Sequence, residues 1–180
     1  MRRNRIKDFL KLTLFLAVMA IASAWLAAYN TDEITGMARV VDGDSLVVSG
    51  REVRLYGIDA PEFRQNCGSV AGDEAPYACG RKAAAFLKEL IAGRVVTCRG
   101  NEIDKYDRLL AVCEVASVHL NKEMVSQGWA VAFGSYEREE ASAKKMSLGL
   151  WAGKFDLPSQ WRRAEKQEHS GGWLNALFPQ

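Results

Sequence analysis

The stretch Val41–Glu62, VDGDSLVVSGREVRLYGIDAPE, decides how the rest of the chain is read. Asp42 and Asp44 flank Gly43 immediately ahead of the apolar run Ser45–Val48. Ser49-Gly50 then has the composition of a tight hairpin turn. The return run, Val53–Ile58, carries Arg54 among apolar residues and ends in Asp59-Ala60-Pro61-Glu62. Pro61 has no backbone donor and pushes Ala60 out of helical geometry, so the strand stops there. Two adjacent strands therefore deliver Asp44, Arg54, Asp59 and Glu62 to one neighbourhood. Carboxylate oxygens of this kind suit Ca²⁺ or Mg²⁺. An arginine beside them suits a phosphate, whose oxygens match its planar fork. Taken singly, each of these residues has a plain reading as a turn carboxylate or a surface cation. Their combination is what points to chemistry.

That combination, together with DKYDRLLAV at Asp104–Val112, resembles the signature of the staphylococcal nuclease (thermonuclease) family. The resemblance covers about Thr35 to Trp151, with the two halves in the correct order. It implies a mainly β, α+β fold: a five-stranded OB-type barrel with about three helices packed on it. It also implies a Ca²⁺-dependent phosphodiesterase acting on DNA and RNA. Carried over residue by residue, it makes Asp44 and Asp59 the ligands of one Ca²⁺, joined by the backbone carbonyl of Ala60. Glu62 matches the carboxylate that holds the attacking water, and Arg54 and Arg108 match the two arginines that grip the phosphate. Lys105 and Tyr106 match nucleotide-contacting positions. In AVAFGSY, Tyr136 is the stacking candidate, and Phe133 is expected in the core with Trp129 and Trp151. Two positions depart from the pattern. Ala60 stands where many members have Thr, so a carbonyl ligand survives but a hydroxyl that organises its surroundings does not. Asp107 stands where Gly usually precedes the arginine. Asp tolerates left-handed backbone, but its charge is expected to compete with phosphate for Arg108.

The chemistry stands on its own terms as well. Phosphodiester cleavage gathers negative charge at a five-coordinate phosphorus, and a hard cation with two guanidinium forks opposes it. A carboxylate beside the attacking water orients it or accepts its proton. No histidine lies in these motifs to act as base, and no Ser/His pair points to a covalent intermediate. The rival reading from another class is a non-catalytic OB module that binds single-stranded nucleic acid or an envelope partner.

Composition sets the compartment. The chain has 180 residues, 48% of them apolar, which suits one compact domain plus a short appendage. Its net charge of +2 is not a nucleic-acid signature. Five of the basic residues (Arg2, Arg3, Arg5, Lys7 and Lys11) and only one acid, Asp8, fall in the first 24 positions, so the remainder is slightly acidic. Affinity for a polyanion must come from local arrangement and bound cation. The same N-terminus has a basic start, an uncharged apolar run Leu12–Ala28 and the small-x-small triplet Ala22-Ser23-Ala24, the pattern of a secretory signal peptide. An uncleaved membrane anchor is the alternative. Either one exports the domain, to periplasm or medium or to the outer side of the cytoplasmic membrane, and the membrane is a partner only if the segment is retained. The expected division is residues 1–28 as signal or anchor, 29–163 as the nuclease-like domain, here taken as a monomer, and 164–180 as a C-terminal tail. In an oxidising compartment the four cysteines are expected to form two disulfides. Their spacing contains no C-x-x-C pair, which argues against zinc. Three connectivities are possible. Cys98 and Cys113 end two expected strands while Cys67 and Cys79 bracket one loop, so sequential pairing is expected, with free buried thiols as the alternative.

Along the chain, strands are expected at Thr35–Val41, Ser45–Val48, Arg51–Ile58, Arg94–Cys98 and Leu109–Val115. Arg64–Ala78 reads as a polar loop outside the usual pattern, and Gly100–Arg108 as the loop carrying the second motif. Helices are expected over Gly80–Ala92, where Phe86, Leu87, Leu90 and Ile91 form an apolar stripe, over a short segment to Gln127 capped by Asn121, and near Arg138–Ser147. After Trp151 the chain turns polar and reads as a docked tail, with Trp173, Leu174, Leu177 and Phe178 as a small amphipathic turn.

Overall fold

The computed structural model describes the backbone of residues 2–29, 31–68 and 76–177, and side chains for 7–25, 31–68 and 76–167. The chain forms two units, Met1–Asp32 and Glu33–Gln180. The first is a single helix, α1 (Arg2–Tyr29). Within it Lys7–Trp25 is a 19-residue stretch of mean hydropathy 1.6. At about 1.5 Å per residue it approaches the roughly 30 Å of a bilayer core, so it is long and apolar enough to cross one.

The second unit is built on a closed barrel. Strands β1 (Asp32–Val40), β2 (Ser45–Val48) and β3 (Arg51–Leu55) form an antiparallel meander. Ser49 and Gly50 both have positive φ, +49° and +84°, the geometry that two-residue hairpins require. A two-residue strand, β4 (Ile58–Asp59), follows, then α2 (Cys79–Ile91). Strands β5 (Val95–Ile103) and β6 (Leu109–Val115) pair antiparallel, and β7 (Val118–His119) extends that ladder. Helix α3 (Leu120–Ser126), strand β8 (Val131–Ala132), helix α4 (Glu137–Lys145), a 3-10 turn over Gly149–Ala152 and helix α5 (Pro158–Leu177) complete the chain. The main sheet runs β3-β2-β1-β5-β6-β7 and closes on itself where β3 pairs parallel with β6. Closure gives β1, β2, β3, β5 and β6 the five-stranded OB-type barrel that the motif implied.

Alternation fills the barrel. Val53 and Leu55 in β3 and Leu109, Ala111, Cys113 and Val115 in β6 point inward and are fully or almost fully buried, leaving Arg54 between Val53 and Leu55 to face the other way. Helix α2 covers one end with Ala83, Leu87 and Ile91, and α3 covers another part with Leu120, Met124 and Val125. Removing a side chain such as Leu87 from this core should cost about 2–5 kcal/mol.

The cysteines pair Cys67–Cys79 and Cys98–Cys113. The second bridge joins directly facing residues of β5 and β6. The first ties the loop after Glu62 to the start of α2 and packs with Leu150, Tyr77, Trp129 and Phe155 in a small second core. Part of the expected Arg64–Ala78 loop lies outside the described residues.

Several local expectations are corrected. Strand β5 continues past Cys98 to Ile103, because a register shift between Gly100 and Glu102 keeps it paired with β6. The second motif therefore sits on a tight turn rather than a long loop. Asn121 is not a cap: α3 begins at Leu120 behind an extended His119 that makes no side-chain cap. Asn121 is instead fully buried, donating to the carbonyls of Tyr56 (2.9 Å) and Ala111 (3.0 Å) and accepting from the N–H of Cys113 (2.9 Å). It satisfies backbone groups at the β3–β6 junction that burial would otherwise leave unpaired. Phe133 is 72% exposed rather than in the core. Trp151 is half-buried, with its ring edge-on to Phe155. Among the described residues there are five α-helices: α2, α3 and α4, the N-terminal α1, and α5, which runs unbroken through residue 163. Phe178 lies outside the described residues, as do the side chains of Trp173, Leu174 and Leu177.

Candidate active site

The hairpin places its charged residues by register. Ser45 faces Arg54 across β2 and β3, which sets Asp44, one residue earlier, beside the Arg54 side chain. The Asp44 carbonyl accepts from the Leu55 N–H at 2.8 Å and fixes the strand entry. Arg54 then forks between two carboxylates: Nη1 donates to Asp44 Oδ1 at 2.8 Å and Nη2 to Asp59 Oδ1 at 2.9 Å. Asp44 also accepts from Ser45 Oγ at 3.0 Å and from the Ala60 N–H at 2.9 Å. Asp44 and Asp59 are 3% and 4% exposed, so the fork and these donors replace nearly all of their water. Burial pushes the Asp44 carboxyl up to about 7, against the lowering effect of Arg54 and with a further rise from Asp42.

Glu62 follows Pro61 at the mouth of the site. A side chain at Gly80, in the first turn of α2, would collide with the Glu62 carbonyl, so only glycine lets the helix approach this closely. The Glu62 N–H donates to Gln65 Oε1 at 3.3 Å. The side chain meets a residue that the motif did not include. Arg162 of α5 donates from Nη1 to Asp59 Oδ1 (3.0 Å) and Glu62 Oε1 (2.9 Å), and from Nη2 to Asp59 Oδ2 (3.0 Å). Three carboxylates thus share two guanidinium groups in one continuous chain, Asp44–Arg54–Asp59–Arg162–Glu62.

The second motif forms the facing wall. Asp104 accepts the N–H groups of Tyr106 (2.9 Å) and Arg108 (3.1 Å) and binds Arg108 Nε (2.9 Å) and Nη2 (2.6 Å). Burial pushes the Asp104 carboxyl up, but the hydrogen bonds from Arg108 and the two backbone donors outweigh it and hold it below the usual carboxylate range. Arg108 Nη1 reaches Ser45 Oγ at 3.3 Å, which links this wall to the hairpin. Asp107 adopts the expected left-handed conformation, φ +65°, but the carboxylate that pairs with Arg108 is Asp104. The acidic partner expected for Arg108 at Asp107 is thus found three residues earlier, at Asp104. Lys105 and Arg108 both stack against the exposed ring of Tyr106, at 4.9 and 5.3 Å from its centroid.

Arg54, Glu62, Lys105, Tyr106, Arg108, Arg162 and Lys166 line one cleft of about 760 Å³. Tyr136 lies outside that lining, half-buried against the core with its hydroxyl pKa raised by burial and then by Glu139 and Tyr56. Exposed Phe133 borders a smaller adjoining hollow of about 230 Å³, shared with Arg54, Asp59 and Arg162.

Residues 52–153 match the family described as staphylococcal nuclease homologue. The chain belongs to the staphylococcal nuclease family. Among the proteins it is similar to, an uncharacterized endonuclease of Haemophilus influenzae is 32% identical over 86% of this chain and 85% of its own length. A micrococcal nuclease of Shigella flexneri is 30% identical over 72% and 80%. The succinoglycan biosynthesis protein ExoI of Rhizobium meliloti is 31% identical over 73% of each.

The donor set also bears on a metal. Asp44, Asp59 and Glu62 offer only hard oxygen, which fits Ca²⁺ and not a soft ion. Among the described residues, no three His, Cys, Asp or Glu side chains form a cluster that would hold an ion unaided. A cation here would rely on two aspartates, backbone carbonyl and water, a shell that hard divalent ions accept. The residue that sequence reasoning missed is Arg162. Its local signal was thin: a Pro158 suited to the first helical position, then Trp161-Arg162-Arg163 in the polar stretch at the end of the expected 29–163 domain.

Proposed function

We propose that this chain is an exported, Ca²⁺-dependent endonuclease that hydrolyses phosphodiester bonds in DNA and RNA. The observation that carries the reading is the single cleft in which Arg54 and Arg108, two phosphate-type forks, flank the carboxylate of Glu62 beside the buried pair Asp44 and Asp59. Asp44, Asp59 and the carbonyl of Ala60 would hold the ion, and the ion would supply positive charge against the phosphate as negative charge builds there. Glu62 orients a water on the phosphorus and takes its proton. One P–O bond forms to the water oxygen, the opposite ester P–O bond breaks, and the departing oxygen gains a proton from solvent. Arg54 and Arg108 oppose the charge that grows on the phosphoryl oxygens. Lys105, Tyr106 and the exposed Phe133 offer cation and ring faces to the flanking nucleotides.

Two features support the proposed compartment. Helix α1 opens on basic residues, runs on as an apolar stretch and carries Ala22-Ser23-Ala24, and both disulfides suit an oxidising environment. The direct test incubates purified protein with supercoiled plasmid and with RNA, in Ca²⁺ and then in excess chelator. Nicking and linearisation that require Ca²⁺ support the reading. Binding of single-stranded nucleic acid without any cleavage would replace it with the non-catalytic module. Full activity in chelator would remove the ion from the mechanism.

A further inference from the structure

Arg162 is a cation lodged where a divalent ion has business. Its guanidinium binds both oxygens of Asp59 and one of Glu62, all at 2.9–3.0 Å, and its side chain is 35% exposed on the cleft. The position is built. α5 starts at Pro158 just after Asp156, whose carbonyl accepts from the fully buried Gln65 side chain at 2.8 Å. Lys154, two residues earlier, accepts from the Gly68 N–H at 2.8 Å, next to the Cys67–Cys79 bridge. The disulfide loop and the first turn of α5 are thus stitched together, and Arg162 comes one turn later.

We propose that Arg162 is a positioning residue with two effects: it competes with the divalent cation for Asp59, and it holds Glu62 in the orientation used for turnover. The inference rests on the Ca²⁺-dependent reading above. Charge arithmetic gives the first effect. With Arg162 in place, three carboxylates already face two guanidinium groups, and a divalent ion added beside them meets a positive neighbour on the same Asp59 oxygens. Geometry gives the second. Were Asp59 to hold the ion, Arg162 would still have its Nη1 bond to Glu62, which fixes that carboxylate in the cleft.

These two effects give opposite signs on two readouts, which a merely structural role would not. Arg162→Gln should bind Ca²⁺ about tenfold tighter by calorimetry on the nucleic-acid-free protein, because a positive charge next to the ligand oxygens is gone. Its kcat on plasmid should fall by about tenfold or more while KM moves little, because Glu62 is no longer held. Arg162→Lys restores the charge without the fork, so its Ca²⁺ affinity should return to near wild type while kcat stays low. Arg163→Gln, on the exposed neighbour, should match wild type in both. In chelator, Arg162→Gln should melt below wild type, since two carboxylates lose their counter-ion. Equal Ca²⁺ affinity in wild type and Arg162→Gln, with wild-type cleavage in both, overturns the inference and leaves the Ca²⁺-dependent nuclease standing. Affinity and kcat falling together in Arg162→Gln also overturns it. Absence of Ca²⁺ binding in wild type and variant alike overturns both.

Discussion

The side-chain amide of Gln65 donates to the carbonyl of Asp156 across 91 positions of sequence, at 2.8 Å. Gln65 is fully buried, so truncation leaves a gap in the packing and removes at once the donor to the Asp156 carbonyl and the acceptor of the Glu62 N–H. Gln65→Ala should therefore cost about 1–3 kcal/mol in urea unfolding. It should also slow turnover, because this bond helps set where α5 enters and hence where Arg162 lies. Replacing both Cys67 and Cys79 by Ala should lower stability by about 3 kcal/mol and produce the same kinetic loss. A variant that loses stability but keeps wild-type kcat would uncouple the loop from the site.

Asp107 and Asp104 should behave oppositely. Asp107 holds φ +65° without gripping Arg108, so Asp107→Gly relieves backbone strain, should stabilise by about 0.5–1 kcal/mol and should leave kcat unchanged. A marked rise in activity would show that Asp107 does draw on Arg108. Asp104→Asn removes the acceptor that organises Tyr106 and Arg108, and should weaken nucleotide binding. The pH dependence follows in sign. Asp104 is held below its ordinary range, so its contribution is fully present above the unfolded carboxylate pKa near 4 and is lost as pH falls through the folded value. The stability gap between wild type and Asp104→Asn should close on acidification, as followed by thermal melts from pH 7 down to pH 2.

What could be read from the sequence was local. Arg54 and Asp59 are five positions apart, so their nearness along the chain was legible, but alternation on one arm would put them on opposite faces. The turn at Tyr56-Gly57 between β3 and β4, with Gly57 at φ +77°, brings Asp59 back to Arg54. Ser49-Gly50 announced its own turn. Arg162 lies 103 positions from Asp59, and no periodicity in a polar segment encodes the angle at which α5 packs. Phe133 failed for a related reason. It follows a two-residue strand, too short for alternation to state which side faces the core. Asn121 looked like a cap because its type favours that position, yet tertiary demand from Tyr56, Ala111 and Cys113 took its side chain inward.

Gly80 tests how Glu62 is placed. In a helix, Gly→Ala normally stabilises by roughly 0.5–1 kcal/mol. Here the new methyl would meet the Glu62 carbonyl and backbone, so Gly80→Ala should destabilise and should lower kcat by moving Glu62. Stabilisation with full activity would show that the approach of α2 is not what fixes the carboxylate.

The division of labour among the motif residues gives the last prediction. Asp44 and Asp59 are buried and tied to Arg54, so Asp44→Asn or Asp59→Asn should weaken Ca²⁺ binding and slow cleavage together. Glu62 lines the cleft and bonds to Arg162 rather than to Arg54, so Glu62→Gln should leave Ca²⁺ and nucleotide binding nearly intact. It should still reduce turnover by about a hundredfold, the scale of a general base. Arg108→Lys keeps one charge but loses the fork that spans Asp104 and Ser45 Oγ, and should also fall by about a hundredfold in kcat. The measurement is a steady-state nuclease assay across a Ca²⁺ titration, with calorimetric Ca²⁺ binding on each variant. Glu62 is the deciding case, because a carboxamide keeps the size and one acceptor oxygen for Arg162 while removing the charge and the capacity to take a proton. Wild-type turnover in Glu62→Gln at saturating Ca²⁺ would exclude it as the base. A parallel loss of Ca²⁺ affinity would make it a ligand instead.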